Sequence, residues 1–235
     1  MPIDVKYTDL GLIDYQKAWN FQEEIFEKTI AEKLDNQKVL EVDRINCEYN
    51  LFLCEHPHVY TLGKSGQEQN MLISGLELRA KNATFHKTNR GGDITYHGPG
   101  QIVGYPILDI EAFGMGLRVY IENLEEAIIR TLKHYNIKGE LLSGATGVWL
   151  DPNIAGKARK ISAVGVRTSR YVSMHGFAFN VNTDLDYFGY INPCGFTDKG
   201  VTSLEKELGR KLDIEEVKEV LLKELTAVFG WKLIR

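Results

Sequence analysis

"KISAVGVRTSRYVSMHGFAFNV" occupies residues 160–181. Its two runs, "KISAVGVR" (160–167) and "VSMHGFAFNV" (172–181), are strand-like and rich in β-branched and aromatic residues. The short polar break between them predicts a hairpin. Further strands are expected on either side, at "EYNLFLCE" (48–55), "VYTLG" (59–63, after the Pro57 break), "QIVGYPILDI" (101–110) and "GVWLD" (147–151). Pro106 lacks a backbone donor, which places the 101–110 strand at an edge or a bulge. Residues 64–90 are mixed and loop-rich.

Helices are expected outside and between these strands. Asp14 caps residues 14–34, where Ala18, Phe21, Ile25, Phe26, Ile30 and Leu34 step by three or four. Leu117, Tyr120, Leu124, Ile128, Thr131 and Tyr135 mark a second helix. Thr202 and Glu205 have capping-box spacing before a short one. Asp213 and Glu216 open a last helix running to about Phe229, and Gly230 suits its C-terminal cap. Strands cluster in the middle and do not alternate with helices, so the fold class is α+β. There is no Pro- or Ser-rich linker and no repeat, so 1–235 is expected to be a single domain.

Composition excludes several classes. The chain is 43% hydrophobic and 26% charged, unlike disordered, collagenous or disulfide-scaffold sequences. A formal net charge of -4 argues against nucleic acid as a partner. The opening "MPIDVKYTDLG" is no secretory signal, and no apolar run approaches the roughly 20 residues of a membrane helix. Three cysteines, Cys47, Cys54 and Cys194, do not pair up, which points to a reducing, cytoplasmic compartment.

Cys194 stands between Pro193 and Gly195 in "INPCGFTD". Proline fixes the chain on one side and glycine frees it on the other. Such a turn can present a thiolate nucleophile for an acyl carbon, or simply hold a small hydrophobe. The stretch "KARKISAVGVRTSR" (157–170) carries Lys157, Arg159, Lys160, Arg167 and Arg170 with no acidic residue. Lys160 enters the apolar pattern. Partial burial would make it a proton acceptor or a thiolate-stabilising cation; otherwise it is a solvated strand end. The basic run would also steer in an acidic partner. His97 and His175 adjoin glycines and offer a Cys–His pairing or structural roles. Cys54, His56 and His58 share one parity, but Pro57 interrupts them and no fourth ligand is evident, so no metal is expected. "RGGDITYHGPGQ" (90–101) lacks Walker and Gly-x-Gly-x-x-Gly spacing. Its glycines still allow close approach to a linear ligand.

Taken together, "EHPHVYTLG", "RGGDITYHGPGQIVGYPI", "GVWL", "RKISAVGVR", "HGFAFNV" and "INPCG…VTSL" resemble, in order and spacing, the bacterial octanoyltransferases, the lipoyl(octanoyl) transferases of lipoate biosynthesis. The resemblance is densest from Arg90 to Leu204. It implies the mixed-sheet fold with flanking helices of biotin- and lipoate-protein ligases, which is class II synthetase-like. It implies transfer of an octanoyl group from acyl carrier protein to a lysine of lipoyl domains, those of 2-oxoacid dehydrogenases and the glycine cleavage H protein. A Cys/Lys dyad would fall on Cys194 and Lys160. The acyl-binding segments would fall on Arg90, Gly91, Gly92, Asp93, Ile94, Thr95, Tyr96 and His97; on Ser162, Ala163 and Val164; and on His175, Gly176 and Phe177. A monomer with no cofactor is implied, the acyl group arriving on phosphopantetheine. "DPNIAGKA" before Arg159 is longer than the turn usual there. An ATP-dependent lipoate-protein ligase, a non-catalytic acyl-carrier or lipoyl-domain binder, and a cysteine hydrolase using His97 or His175 are the competing expectations.

Overall fold

The computed structural model describes residues 3–45, 47–192 and 199–235. In chain order the strands are β1 (Asp4–Leu12), β2 (Tyr49–Glu55), β3 (Val59–Leu62), β4 (Thr84–Lys87), β5 (Ile94–His97), β6 (Gln101–Ile107), β7 (Glu140–Leu142), β8 (Ala145–Leu150), β9 (Arg159–Ser169), β10 (Val172–Asn180), β11 (Gly200–Val201) and β12 (Lys232–Ile234). The helices are α1 (Tyr15–Asn36), α2 (Gly75–Ala80), α3 (Leu117–His134), α4 (Leu204–Leu208) and α5 (Ile214–Phe229).

The expected hairpin is present. β9 and β10 pair antiparallel from Ser169↔Val172 to Ser162↔Phe179. Arg170 and Tyr171 form its turn, with φ of 53° and 64°. Positive φ at both central residues suits the right-handed twist of a two-residue hairpin, here reached without Asn or Gly. The hairpin sits inside a mixed sheet ordered β12-β1-β2-β6-β10-β9-β8-β7, with β11 running parallel to β9. Alternation along the central strands feeds two cores. Leu51, Leu53, Ile102, Phe177 and Phe179 face α3 and α5, while Phe52, Cys54, Val103, Met174 and Ala178 face α1. Every residue of β6 and β10 is therefore buried, and their hydropathy runs continuously rather than alternating. A smaller sheet, β4-β3-β5, packs its own aromatic core around Tyr60 and Tyr96.

Several expectations are corrected. Pro106 lies in a central strand, between β2 and β10, and not at an edge. The β6–β10 ladder opens beside it: pairing stops at Gly104↔Phe177 and resumes in the same register at Asp109↔Val172. Pro106 thus stands opposite His175, whose φ is 59°, and no register shift is needed. Residues 64–90 are mixed and loop-rich as expected, with α2 and β4 set among the loops. A Ser74/Glu77 capping box opens α2. Ser203, not Thr202, caps α4, because the Thr202 hydroxyl donates to Glu207 instead. The buried face of α1 is Tyr15, Ala18, Gln22, Phe26, Thr29 and Lys33, which shares Ala18 and Phe26 with the expected stripe; Ile25 and Ile30 are only partly buried, and Phe21 is exposed. Among the described residues, no helix is long and apolar enough to cross a membrane.

Candidate active site

A cleft of ≈ 770 Å³ opens where the 90–95 loop crosses the β9–β10 hairpin. Arg90 to Thr95, His97, Lys160, Ala163, Val164, His175, Gly176 and Phe177 all line it. Tyr96 and Ser162 are placed elsewhere. Tyr96 is fully buried against Tyr187, ring centroids 5.0 Å apart. The Ser162 hydroxyl donates across the ladder to the Ala178 carbonyl at 2.9 Å. Cys194 lies outside the described residues. The described residues on either side of it, Asn192 and Lys199, both line the cleft.

Arg90 builds the wall. Its guanidinium donates to the Thr61 carbonyl (2.6 Å) and to the carbonyls of Gly91 (2.9 Å) and Asp93 (2.8 Å), tying the loop to β3. The Gly91 N–H donates to the Val166 carbonyl at 2.9 Å, which lays the loop on β9. Gly92 adopts φ 85°, and its carbonyl comes so close to Gly63 that a Cβ there would sit 2.3 Å away. These glycines serve an approach of backbone to backbone.

Three uncharged polar side chains of the largely apolar lining form one hydrogen-bonded chain. His97 Nδ1 bonds Gln101 Oε1 at 2.8 Å, Gln101 Nε2 donates to Asn180 Oδ1 at 2.8 Å, and Asn180 Nδ2 donates to the Thr202 carbonyl at 2.9 Å. Burial, with His56 and Arg90 adding to it, pushes His97 well below its ordinary pKa. Burial likewise takes His175 down to about 3 and His56 to about 4. Bases this weak are poor proton acceptors at neutral pH, which weakens the hydrolase alternative. His56 lies 3.5 Å from the Cys54 sulfur and bonds Tyr105 at 2.7 Å, while His58 turns away to Tyr96 at 2.7 Å, so His58 does not join the other two.

Lys160 occupies a different corner. It pairs with Trp149 on β8 and Val201 on β11. Its ammonium lies 4.6 Å from the centroid of the Trp149 ring and donates to the Thr146 carbonyl at 3.0 Å. Two other residues of the basic run are ion-paired. Arg159 is forked onto Glu207 (2.7 Å) and reaches Asp151 (2.6 Å), and Arg167 holds Glu23 at 2.7 Å. Arg159 and Arg167 are thus held in ion pairs, while Lys157 and Arg170 are exposed. Sequence reasoning missed Trp149, Gln101 and Asn180 as parts of the site. "GVWL", "GPGQ" and "HGFAFNV" carried the only signal for them.

Comparisons with known proteins agree with this architecture. The family described as Lipoyl protein ligase A/B catalytic domain matches residues 14–226. The octanoyltransferase of Christiangramia forsetii is 56% identical over 232 residues, covering 98% of this chain and 97% of its own. That of Parabacteroides distasonis is 53% identical over 230 residues, covering 96% and 98%. The chain belongs to the octanoyltransferase family. Octanoyltransferases are acyltransferases, and the ligase fold extends to distant relatives. The bi-partite lipoate protein ligase of Thermoplasma acidophilum, described with its E2 lipoyl domain, matches with a TM-score of 0.64 at 13% identity, covering 100% of this chain and 88% of that one. A biotin protein ligase from Aquifex aeolicus matches with a TM-score of 0.52 at 16% identity, covering 96% and 70%. The octanoyltransferase fold is thus the α+β ligase fold that the sequence resemblance implied.

Proposed function

We propose that this octanoyltransferase takes an octanoyl group from acyl carrier protein and passes it to a lysine of a lipoyl domain, through a thioester on Cys194. The observation that carries it is the meeting of Lys160 with Asn192 and Lys199, the described neighbours of Cys194, on one cleft walled by the 90–95 loop. Lys160 takes the Cys194 proton or, already protonated, holds the thiolate, and the thiolate attacks the octanoyl carbonyl carbon. The bond to the phosphopantetheine sulfur breaks, and that sulfur takes the proton back from Lys160. The acceptor lysine's amine then attacks the acyl-enzyme and gives its surplus proton to Lys160. The amide forms as the Cys194 sulfur leaves. The incoming thioester is already activated, so the scheme needs neither ATP nor metal. Lipoyl domains of 2-oxoacid dehydrogenases and the glycine cleavage H protein are the expected acceptors, in the cytoplasm, with the enzyme acting as a monomer.

Intact-mass analysis after mixing with octanoyl-acyl carrier protein tests this. A hydroxylamine-labile octanoyl adduct is expected on the parent enzyme and none on Cys194→Ala. Normal transfer by Cys194→Ala would overturn the scheme. Lys160→Ala is expected to lose rate and raise the thiol pKa, and an unchanged pH profile would make Lys160 merely structural. Turnover that required ATP and free lipoate would favour the ligase instead.

A further inference from the structure

We infer that Glu125 is a positioning residue for Lys160, acting through the peptide bond between Thr146 and Gly147. The inference rests on the role proposed for Lys160. Glu125 lies on α3, opposite β8, and is 6% exposed. Its Oε1 accepts from the Gly147 N–H at 2.6 Å. The carbonyl of that same peptide unit, on Thr146, accepts from Lys160 Nζ at 3.0 Å. One planar amide is therefore held at its N–H end by a buried carboxyl and at its oxygen end by the ammonium.

The surrounding backbone makes this arrangement depend on Glu125. Gly147 has φ 111°, and a Cβ there would lie 2.4 Å from the Ser162 carbonyl oxygen. The β8–β9 register shifts just beyond it, between Val148 and Trp149, so ladder bonding is irregular where the peptide must be fixed. A buried N–H with no acceptor is costly. Without Glu125 this peptide would rotate to find one, and the Thr146 carbonyl would leave Lys160. Burial raises the Glu125 pKa, with Glu122 adding to it and Lys160 opposing. Arg90 and Lys199 are the other cations among the described residues of the cleft.

The role belongs to the hydrogen bond, so glutamine should keep it and alanine should not. Glu125→Ala is expected to slow acyl-enzyme formation by roughly 10- to 100-fold at unchanged KM, the scale of a misplaced reacting group. Glu125→Gln should stay within a few fold of the parent. A second readout does not depend on turnover. Competitive acetylation with acetic anhydride across a pH series, read by peptide mass, reports the reactivity and pKa of Lys160. Both are expected to change in Glu125→Ala and to return towards the parent in Glu125→Gln. Unchanged Lys160 labelling in a folded Glu125→Ala would overturn the inference, as would an equal loss of rate in both variants. If Lys160→Ala proved active while the labelling still changed, the catalytic scheme would fall and the Glu125–Lys160 link would stand.

Discussion

At Gly176 there is no room for a side chain. A Cβ would lie 2.2 Å from the Gly104 carbonyl oxygen and 2.8 Å from Pro106 Cδ. This is where the β6–β10 ladder opens, beside His175 in the left-handed region at φ 59°. Gly176→Ala is therefore expected to destabilise the fold by about 1–3 kcal/mol, through overpacking at a fixed backbone crossing. Thermal unfolding would show it as a drop of about 2–4 °C per kcal/mol at this chain length. An unshifted Tm would mean that the two strands part easily here. The sequence displayed Pro106 and Gly176 but not their opposition, because long-range register is invisible to local pattern. Proline in a run reads as an edge, yet a central strand tolerates it where the neighbouring ladder bond is already absent.

Among the elements, α1 shows what pattern can and cannot carry. Its start was legible, since Asp14 accepts from the Lys17 N–H at 3.0 Å. Its buried face was legible only in part, at Ala18 and Phe26, because Gln22, Thr29 and Lys33 also lie on it. Each has a buried partner: Gln22 accepts from the His175 N–H, Thr29 donates to the Ile25 carbonyl, and Lys33 holds Asp109 at 2.7 Å and Glu111 at 2.8 Å. Hydropathy counts such residues as solvent-facing. β1, β4 and β12 went unread for the opposite reason, being short or half-exposed strands with little apolar signal. The ion pair makes a prediction for the whole element. Lys33→Ala leaves Asp109, 6% exposed, without its cation and should cost about 3–5 kcal/mol. Lys33→Ala/Asp109→Ala should recover much of that in urea unfolding. A double variant no more stable than the single would show that the pair contributes only through packing.

For the whole molecule, the centre of the fold is built on neutral histidines. His56, His97 and His175 all sit nine-tenths or more buried between the large sheet and α1 or the 90–95 loop. The ring centroids of His56 and His97 are 5.9 Å apart, and Tyr15 stacks on His97 at 6.0 Å. The motifs announced two of these as functional candidates. What they could not show is that burial makes all three weak bases and therefore pH liabilities. A histidine whose folded pKa is depressed contributes stability that is complete above its unfolded value of 6.5 and is lost as pH falls towards the folded value. For His56 that window runs from 6.5 to about 4, and for His175 to about 3. By pH 5 each should cost up to about 2 kcal/mol, because the unfolded chain binds a proton that the folded one refuses. The urea midpoint is therefore expected to fall steeply between pH 7 and 5, before most carboxylates titrate. His56→Gln, which cannot take up a proton, should flatten that slope even if its stability at pH 7 is lower. A midpoint constant from pH 7 to 5 in the parent would mean that these imidazoles gain protons in the folded state, and that the floor of the cleft carries positive charge there.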